Sequence, residues 1–452
     1  MINIDSSNII KIDLQEDNSS IKLLKKGIWL YFLLLIFEGA LRKWFLPFLS
    51  GPLTLIRDPL AFFILVIAIK NGILKFNFYL GITVLVSVLG ISTTLVFGHG
   101  NLGITLFGSR IMLLHFPLIF VIGNIFNESD VLKIGKVLLY ISIPMTILMI
   151  IQFYSPQSAL VNRGVGGDVG GGGFNGGAFG FFRPPGTFSF ITGLTQFYGL
   201  LLCFVLYFWY KPSGINFFIR LAATVGAFCA IPFSLSRSLF FQTLVSLLFF
   251  MFVVSMKPKN LIKVLFGVLG ASVILVLLSN LSIFKTPIEA FMFRFEGANK
   301  YEGGVESVLV DRYLGSMFSS VGDSNDASFF GHGLGIGTNA GSQLLSKFSG
   351  GNNWVENEWS RIFFESGIFL GFIIIGIRLA LAFSFFSFSY KLIFKDNTLP
   401  WLLLSFCSLI LVNGQWGQPT SLGFAVFSAG ILLAVLNQYN KNFKESGNKN
   451  LK

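Results

Sequence analysis

Long apolar segments are the feature that most constrains how this chain can fold. Stretches such as "YLGITVLVSVLGISTTLVF" (79–97) continue for nearly twenty residues without a charge. About twenty helical residues span the ~30 Å hydrocarbon core of a bilayer, where backbone groups must be hydrogen-bonded within their own segment. With 53% hydrophobic and only 12% charged residues, the chain is too apolar to cover a water-exposed surface. We therefore predict an all-α polytopic membrane protein.

Hydropathy divides the chain into about twelve transmembrane helices. The predicted spans are 27–46, 53–70, 76–97, 103–124, 134–155, 188–209, 216–235, 237–256, 261–283, 361–386, 399–413 and 418–437. The transmembrane domain is thus 27–437, between tails at 1–26 and 438–452. Two connections are long, the loops at 156–187 and 284–360. Because long connections in compact folds are usually functional, we expect substrate contacts there.

The lysines predict the orientation of these spans. Eighteen of the 22 lysines fall in segments that are cytoplasmic if the N-terminus is placed in the cytoplasm. This distribution agrees with the positive-inside rule. Both termini are then cytoplasmic, and both long loops lie on the outer face.

The arginines show the opposite distribution. Only Arg220 and Arg378 fall on the inner half. The other nine fall on the outer face or the outer half of a span: Arg42, Arg57, Arg110, Arg163, Arg183, Arg237, Arg294, Arg312 and Arg361. A guanidinium binds phosphate in two-point fashion, so the set predicts an anionic, phosphorylated ligand rather than nucleic acid, despite the net charge of +12. For any single arginine the alternative is an ion pair, with Glu38, Asp58, Asp311 or the acids of 352–365.

Two short motifs hold arginines at predicted membrane boundaries. In "FFRPPGTFSF" (181–190) two prolines stiffen the chain after Arg183, although a plain turn with a snorkelling arginine is an alternative. In "PFSLSRSLFFQ" (232–242) serines flank Arg237 at a helix start, where backbone N–H groups can bind an anion. Arg110 and His115 lie within a span and are candidates because charge inside a membrane is usually functional.

Three further polar segments are predicted on the outer face. The glycine-rich stretch 163–182 predicts a flexible loop. His332, in "GHGLGIGTN" (331–339), is a candidate, although a lone histidine is more often structural. In "VNGQWGQPTS" (412–421), Gln415 and its neighbouring amides suit sugar hydroxyls, and Trp416 suits either a sugar ring or the membrane interface.

The stretch "NNWVENEWSRIFFESGIFLGF" (352–372) begins polar and continues as an apolar helix. Four charged residues lie at the junction: Glu356, Glu358, Arg361 and Glu365. Charge at the entrance of a membrane helix is usually retained for function. The junction is therefore predicted to be functional.

Several of these motifs together resemble the O-antigen ligase and O-antigen polymerase superfamily of polytopic bacterial glycosyltransferases. The matching pieces are "EGALRKWFLP", "IRDP", "RPPGTF", "SLSRS", "DRYLG" before "FFGHGLGIG", and "ENEWSRIFFESGIFLG". The resemblance implies a GT-C-like helical fold in the bacterial inner membrane, with its active site on the outer, periplasmic face. It implies a glycan donor on polyprenyl diphosphate, and neither a nucleotide sugar, a catalytic metal nor another cofactor.

The resemblance also implies residue roles. Arg183, Arg237 and Arg312 would bind the donor diphosphate, and we add Arg361 to this group. Where the family often has a histidine, this chain has Glu356, which would act as general base. The rival base is Glu358, and the supporting candidates are Arg110, His332, Asn357, Glu365 and Gln415.

The implied function is a polymerase that joins lipid-linked oligosaccharide repeats into an O-antigen or exopolysaccharide chain with inversion. One alternative is a ligase that transfers lipid-linked glycan to a lipid or protein acceptor. The alternative of another class is a polysaccharide or lipid-linked-sugar transporter. The expected partners are the polyprenyl-diphosphate-linked donor, a glycan or lipid acceptor, membrane lipid and a chain-length regulator.

Overall fold

The chain folds as an assembly of helices, as the apolar segments predict. The computed structural model describes residues 6–170, 176–212, 214–256, 280–301, 328–338, 341–342, 355 and 357–449. The helices in these ranges are α1 Ser6–Ala40, α2 Ser50–Leu53, α3 Arg57–Lys70, α4 Phe78–Val96, α5 Leu102–Arg110, α6 Leu118–Ile125, α7 Glu128–Tyr154, α8 Ile191–Tyr210, α9 Phe217–Ser234, α10 Arg237–Ser255, α11 Ser282–Tyr301, α12 Glu358–Ile393, α13 Leu399–Asn413 and α14 Pro419–Lys449. Two five-residue π-helical turns, Leu41–Phe45 and Ile111–His115, and short 3₁₀ turns at Pro47–Leu49, Leu160–Asn162 and Val165–Gly167 join them.

Eight helices in the described ranges are long and apolar enough to cross a membrane. They are Phe78–Val96, Leu102–Ile125, Glu128–Tyr154, Ile191–Tyr210, Phe217–Ser234, Arg237–Ser255, Glu358–Ile393 and Pro419–Tyr439. A bent pair, Pro47–Leu53 with Arg57–Lys70, makes a ninth if it forms one span. The predicted span 27–46 lies in α1 and the π-turn after it, and 399–413 is the shorter helix α13. The predicted span 261–283 lies mostly outside the described residues.

Two predicted spans are not single straight helices. The span 53–70 begins at the last residue of α2 and passes through a turn into α3, and the axes of Pro47–Leu53 and Arg57–Lys70 differ by 40°. The segment 361–386 is interrupted at Gly367, where φ is 75° and ψ is 178°. Only glycine adopts this conformation readily, so the chain changes direction there.

The predicted flexible loop at 163–182 contains a small β-ribbon. Strands β1 (Gly176–Ala178) and β2 (Phe181–Phe182) pair in antiparallel fashion. Phe181 stacks on Phe153 of α7 with ring centroids 4.7 Å apart. This contact fixes the end of the loop that leads into "RPPGTF".

Helices α8 and α14 form the centre of the assembly, and α4 lies at its periphery. The most apolar windows of α8 and α14 are each 83% buried, against 33% for α4. Small residues let α6 and α14 approach each other closely. Gly430 of α14 faces Ile122 of α6, and Gly123 of α6 faces Leu433 of α14. Helices that are apolar all round belong in such a core or against lipid.

The "RPPGTF" turn is packed against the end of α1. Thr187 Oγ1 donates to the Ile36 carbonyl at 2.8 Å. A Cβ at Gly39 would overlap the backbone of Thr187 and Ser189. This close approach brings two motifs, "EGALRKW" and "RPPGTF", into direct contact.

Candidate functional site

Two clusters of buried charge occupy the described part of the chain. The first, the Glu38–Asp58 cluster, consists of Glu38, Arg42, Arg57, Asp58 and Arg110. The second, the Glu358–Arg378 cluster, consists of Glu358, Arg361, Glu365 and Arg378. Most of the charged residues that the sequence singles out are thereby brought into one of two places.

The Glu38–Asp58 cluster has two halves that meet at the start of α3. Glu38 accepts from Arg42 Nη1 at 3.4 Å and from Arg57 Nε at 3.2 Å. Arg110 Nη1 donates to both carboxylate oxygens of Asp58, at 2.9 and 3.0 Å. Because Arg57 and Asp58 are adjacent in sequence, the first turn of α3 joins the halves. The ion-pair alternative for Arg42, Arg57 and Arg110 is thus observed.

A short hydrogen-bond chain leads from Asp58 into the interior. His115 Nε2 lies 2.9 Å from Asp58 Oδ1, and His115 Nδ1 lies 3.1 Å from the Tyr31 hydroxyl. A carboxylate only accepts, so Nε2 carries the proton and the tyrosine hydroxyl donates to Nδ1. Both ring nitrogens of the buried His115 are therefore engaged in positioning Asp58.

Several side chains in and around this cluster come from the two π-helical turns or the residue just before one of them. Leu41–Phe45 contains Arg42 and Lys43, and Ile111–His115 follows Arg110 and ends on His115. A π-turn inserts one residue into a helix and re-aims the side chains around it, often at functional sites. Both turns therefore direct charged side chains toward the interior.

The "RPPGTFS" turn receives cationic side chains from two sides. Lys43 Nζ donates to the carbonyl at position 186 at 2.6 Å, and Arg42 Nη1 donates to Ser189 Oγ at 3.1 Å. At its other end, Arg183 Nε donates to the Ser234 carbonyl at 3.3 Å. The motifs "RPPGTF" and "SLSRS" are therefore in contact, as is "EGALRKW".

A cavity of about 630 Å³ opens beside Asp58. Its walls are otherwise apolar and come from the bent pair of helices. The lining residues are Leu49, Pro52, Leu53, Leu55, Ile56, Asp58, Pro59 and Phe62. The Asp58 side chain is 17% exposed, so its carboxylate is accessible from this cavity.

The Glu358–Arg378 cluster is compact and fully engaged. Arg361 donates from Nε and Nη2 to the two oxygens of Glu358 at 3.0 and 2.9 Å, and from Nη1 to Glu365 at 2.6 Å. Arg378 Nη1 adds a bond to Glu358 at 2.8 Å, and the Gly337 amide bonds the other oxygen of Glu365 at 3.0 Å. Two guanidinium groups face two carboxylates, so the cluster has no net charge.

The break at Gly367 is what brings the ends of this cluster together. Glu358 and Arg378 are twenty residues apart, so a straight helix would separate their Cα atoms by about 30 Å. They are instead hydrogen-bonded, and the ring of Phe363 lies where a Cβ at Gly371 would project. The segment before Gly367 therefore folds back along the segment after it. This helical hairpin explains how three charged residues, Glu358, Arg361 and Glu365, are accommodated at the start of an apolar helix.

Arg378 also fixes the turn between α13 and α14. Its Nε and Nη2 donate to the carbonyls of Leu411 and Gly414 at 2.7 and 2.9 Å. Its guanidinium lies 4.1 Å from the ring centre of Trp416, which is 1% exposed. The prediction that Trp416 stacks on sugar or anchors at the interface is therefore wrong, because an internal cation covers its face.

The glycine-rich segment around His332 is packed on the break in α12. The amides of His332 and Gly333 donate to the carbonyls of Phe364 and Glu365 at 2.8 and 3.0 Å. A Cβ at Gly333 would also crowd Thr94. The glycines thus permit close backbone approach. The His332 side chain is exposed, with its ring 4.5 Å from that of Phe364.

The remaining predicted site residues are distributed as follows. Glu356 and Arg312 lie outside the described residues. Asn357 is the N-cap of α12 and accepts from the Trp359 amide at 3.2 Å. Arg237 is the first residue of α10, directly after the capping Ser236.

Gln415 lies in the turn between α13 and α14, where its Oε1 accepts from Gln418 Nε2 at 2.6 Å. The turn is thus held by side-chain amides as well as by Arg378.

In the ranges that the structure describes, no group of three or more His, Cys, Asp or Glu side chains is arranged to hold a metal ion.

Sequence reasoning missed Arg378 as a cluster member and missed two neighbouring side chains, Lys43 and Tyr31. Tyr31 lies in an apolar segment without a motif, and Lys43 lies in "EGALRKWFLP" but was not singled out within it. Arg378 was assigned to the inner half because its depth was read from a straight helix. The available signal is Gly367, which lies in the same apolar run eleven residues before Arg378.

Comparison with known proteins does not identify a function, so the functional conclusion is drawn from the residues of this chain. The chain matches no protein-family model and no curated protein.

Proposed function

We propose that this protein is a glycan polymerase that works on polyprenyl-diphosphate-linked oligosaccharides at the outer leaflet of the bacterial inner membrane. In this proposal the chain crosses the membrane about twelve times in a GT-C-like arrangement with both termini in the cytoplasm. The proposal combines the family resemblance of the motifs with the way in which those motifs meet in space.

One observation carries the proposal: the concentration of guanidinium groups around the "RPPGTFS" turn. Arg183, at the start of the turn, donates a hydrogen bond to the Ser234 carbonyl. Arg42 donates to Ser189 at the end of the turn. Arg237 begins the helix three residues after Ser234. Arginine is the side chain best suited to bind phosphate, and a helix N-terminus adds to the attraction. This supports a substrate with a diphosphate group.

The proposed reaction is a single displacement. A hydroxyl oxygen of the acceptor sugar attacks the anomeric carbon of the donor glycan while the bond from that carbon to the diphosphate oxygen breaks. The bonding electron pair leaves with the diphosphate, whose charge Arg183 and Arg237 stabilise. The hydroxyl proton passes to a carboxylate, and the anomeric configuration inverts.

Among the candidate bases, the geometry supports a positioning role for Glu358. Its two oxygens accept three hydrogen bonds from Arg361 and Arg378, and the residue is 2% exposed. A general base must reach the proton that it removes. We therefore propose Glu356 as the base, with Glu358, Arg361 and Glu365 holding the helix that follows it.

The test of the function compares lipid extracts from a strain lacking this protein and from its parent. Glycans attached to polyprenyl diphosphate are sized by mass spectrometry. Accumulation of single repeats in the deletion strain is expected for a polymerase. Accumulation of long lipid-linked chains would instead identify a ligase. Unchanged lipid-linked pools would overturn both.

The diphosphate assignment has its own test in Arg183→Ala and Arg237→Ala. Each variant should form no polymer while its amount in the membrane stays at the wild-type level. Arg220→Ala is the matched control, because Arg220 donates to the Phe208 carbonyl at 3.1 Å and not to the "RPPGTFS" turn. Full activity in both test variants would contradict the assignment.

A second candidate function is transport of a lipid-linked sugar. The observation that favours it is the helix broken at Gly367 with buried charge beside it, since interrupted membrane helices with charge often form transport sites. Vesicles reconstituted with the protein and a fluorescent lipid-linked sugar would decide, because a transporter exchanges the lipid between leaflets in the absence of any acceptor.

A further inference from the structure

A row of exposed phenylalanine rings joins the end of α4 to the break in α12. Phe330 stacks on Phe97 with ring centroids 4.3 Å apart, and Phe329 meets Phe330 edge-on at 5.0 Å. Phe369, two residues after Gly367, lies 6.4 Å from Phe329 with its ring nearly parallel. The four side chains are 40–61% exposed. This phenylalanine ladder is therefore a contiguous, exposed apolar surface.

The ladder continues an exposed apolar stripe along α4. Phe78, Leu85 and Val96 lie on this stripe and are 74%, 59% and 71% exposed. From Phe78 to Phe97 the helix rises by about 28 Å, close to the ~30 Å hydrocarbon core of a bilayer. The positive-inside rule places Lys75, just before Phe78, in the cytoplasm. The ladder then lies at the outer edge of the hydrocarbon core.

The segments that carry the ladder contain no charge that would hold them in water. Lysine, arginine, aspartate and glutamate are absent from 76–109, from 328–338 and from 366–377. A large exposed apolar patch usually marks a surface that contacts a partner or a membrane. Because the patch is uncharged and continuous with the stripe of α4, hydrocarbon is the partner that fits it.

Beyond the ladder the chain turns back along α4 toward the interior. The Leu334 amide donates to Thr94 Oγ1 at 2.9 Å, and the Leu334 side chain lies where a Cβ at Gly90 would project. Gly90 is seven residues from Phe97, which corresponds to about 10 Å along the helix. Residues 331–334 therefore descend from the ladder into the helix assembly.

The backbone of this descending segment is hydrogen-bonded by the protein itself. The amides at 331, 332 and 333 donate to the carbonyls of Ser328, Phe364 and Glu365, and the amide at 334 donates to Thr94. The carbonyl at 332 accepts from the His99 amide. Non-helical backbone is stable at membrane depth only where protein groups replace water as its partners. The segment meets this condition.

We propose that residues 328–335 form a re-entrant segment in the outer leaflet, where the phenylalanine ladder binds the acyl chains of phospholipids. These residues belong to the stretch 284–360 that hydropathy assigns to an outer loop. Arg378 follows Gly367 by eleven residues, so the Glu358–Arg378 cluster lies about 16 Å below the ladder, within the membrane. Its internally balanced charges suit that depth. This placement is independent of the proposed glycan transfer.

The test measures the accessibility of spin labels on the protein in vesicles of phosphatidylethanolamine and phosphatidylglycerol. Labels at Phe329→Cys and, in a separate variant, Phe330→Cys are exposed to oxygen, which concentrates among acyl chains, and to a water-soluble nickel chelate. Leu85→Cys on the α4 stripe is the lipid control, and Glu289→Cys, exposed on α11, is the water control. The ratio of the oxygen effect to the nickel effect at 329 and 330 should lie closer to that at Leu85.

Two outcomes would overturn the proposal. A ratio closer to that at Glu289 would place the segment in water. Shielding from both reagents, together with dipolar coupling between labels on two copies of the chain, would identify a protein interface instead. The three native cysteines are buried, so the unsubstituted protein should take up no label. Because no turnover is measured, neither outcome bears on whether the protein transfers glycans.

Discussion

The two charge clusters are built from the same residue types but differ in balance and access. In the Glu358–Arg378 cluster the carboxylates and guanidiniums are equal in number, and Arg378 is 1% exposed. In the Glu38–Asp58 cluster cations outnumber acids, and Asp58 faces a cavity. A balanced and closed cluster fixes the fold, whereas an unbalanced and open one is suited to a ligand. The presence of buried arginines alone therefore does not identify a site.

The largest expected effect comes from breaking the balanced cluster. Glu358→Ala leaves Arg361 and Arg378 buried with one carboxylate fewer, which should cost about 3–5 kcal/mol of unfolding free energy. Thermal unfolding in detergent should show a large drop in Tm. Lys133→Ala is the control, because Lys133 is 65% exposed and its pair with Asp130 should contribute at most about 1 kcal/mol. A Tm equal to that of the control would show that the cluster does not hold the hairpin.

The next effect tests the hairpin through its backbone. Gly367→Ala places a side chain in a conformation that costs about 1–3 kcal/mol, and the new Cβ would also overlap the Phe329 carbonyl. Gly376→Ala, in the same helix, has open space around its Cβ and should be neutral or slightly stabilising. In thermal unfolding, Gly367→Ala should lower Tm, whereas Gly376→Ala should leave Tm unchanged or raise it slightly. Similar Tm values would mean that α12 tolerates a different bend at 367.

A smaller effect is expected where α14 packs on the unbalanced cluster. A Cβ at Gly423 would overlap Arg57 Nη1 and Leu35. Gly423→Ala should therefore displace Arg57 from Glu38 at a cost of about 1–3 kcal/mol. Thermal unfolding measures this cost, and an unchanged Tm would show that Arg57 has room to move. Gly51→Ala, whose Cβ would meet nothing within 4 Å, is the control.

The sequence predicts individual helices well because burial in lipid or core requires only an apolar run. The predicted spans 216–235 and 237–256 correspond to Phe217–Ser234 and Arg237–Ser255. Side-chain caps contribute to such boundaries, as where Asn77 accepts from the Leu80 amide at the start of α4. Hydropathy averages over a window, however, and so passes over a single glycine such as Gly367.

The two charge clusters were less predictable than the helices. They depend on where a helix folds back on itself and on which charged side chains are then brought together. Pairing of Arg110 with Asp58 was one of two alternatives that the sequence left open. Whether Arg110 meets Asp58 depends on a π-turn and on the bend between α2 and α3, and tertiary packing decides both. Arg378 shows the same limit of sequence-based prediction. Its position along a straight helix places it far from Glu358, to which it is in fact hydrogen-bonded.

The smallest effect on stability should come from Arg42→Gln, which sharpens the contrast between the clusters. It removes one partly exposed cation from a cluster that has an excess, and Glu38 keeps Arg57 as a partner. The unfolding free energy should fall by about 1 kcal/mol, the net contribution of a typical hydrogen bond, because Glu38 does not lose its remaining partner. Arg378→Gln is the matched variant from the balanced cluster, and there the same chemical change should lower Tm strongly. If both substitutions lower Tm equally, the excess charge near Asp58 is compensated within the protein and the two clusters are alike.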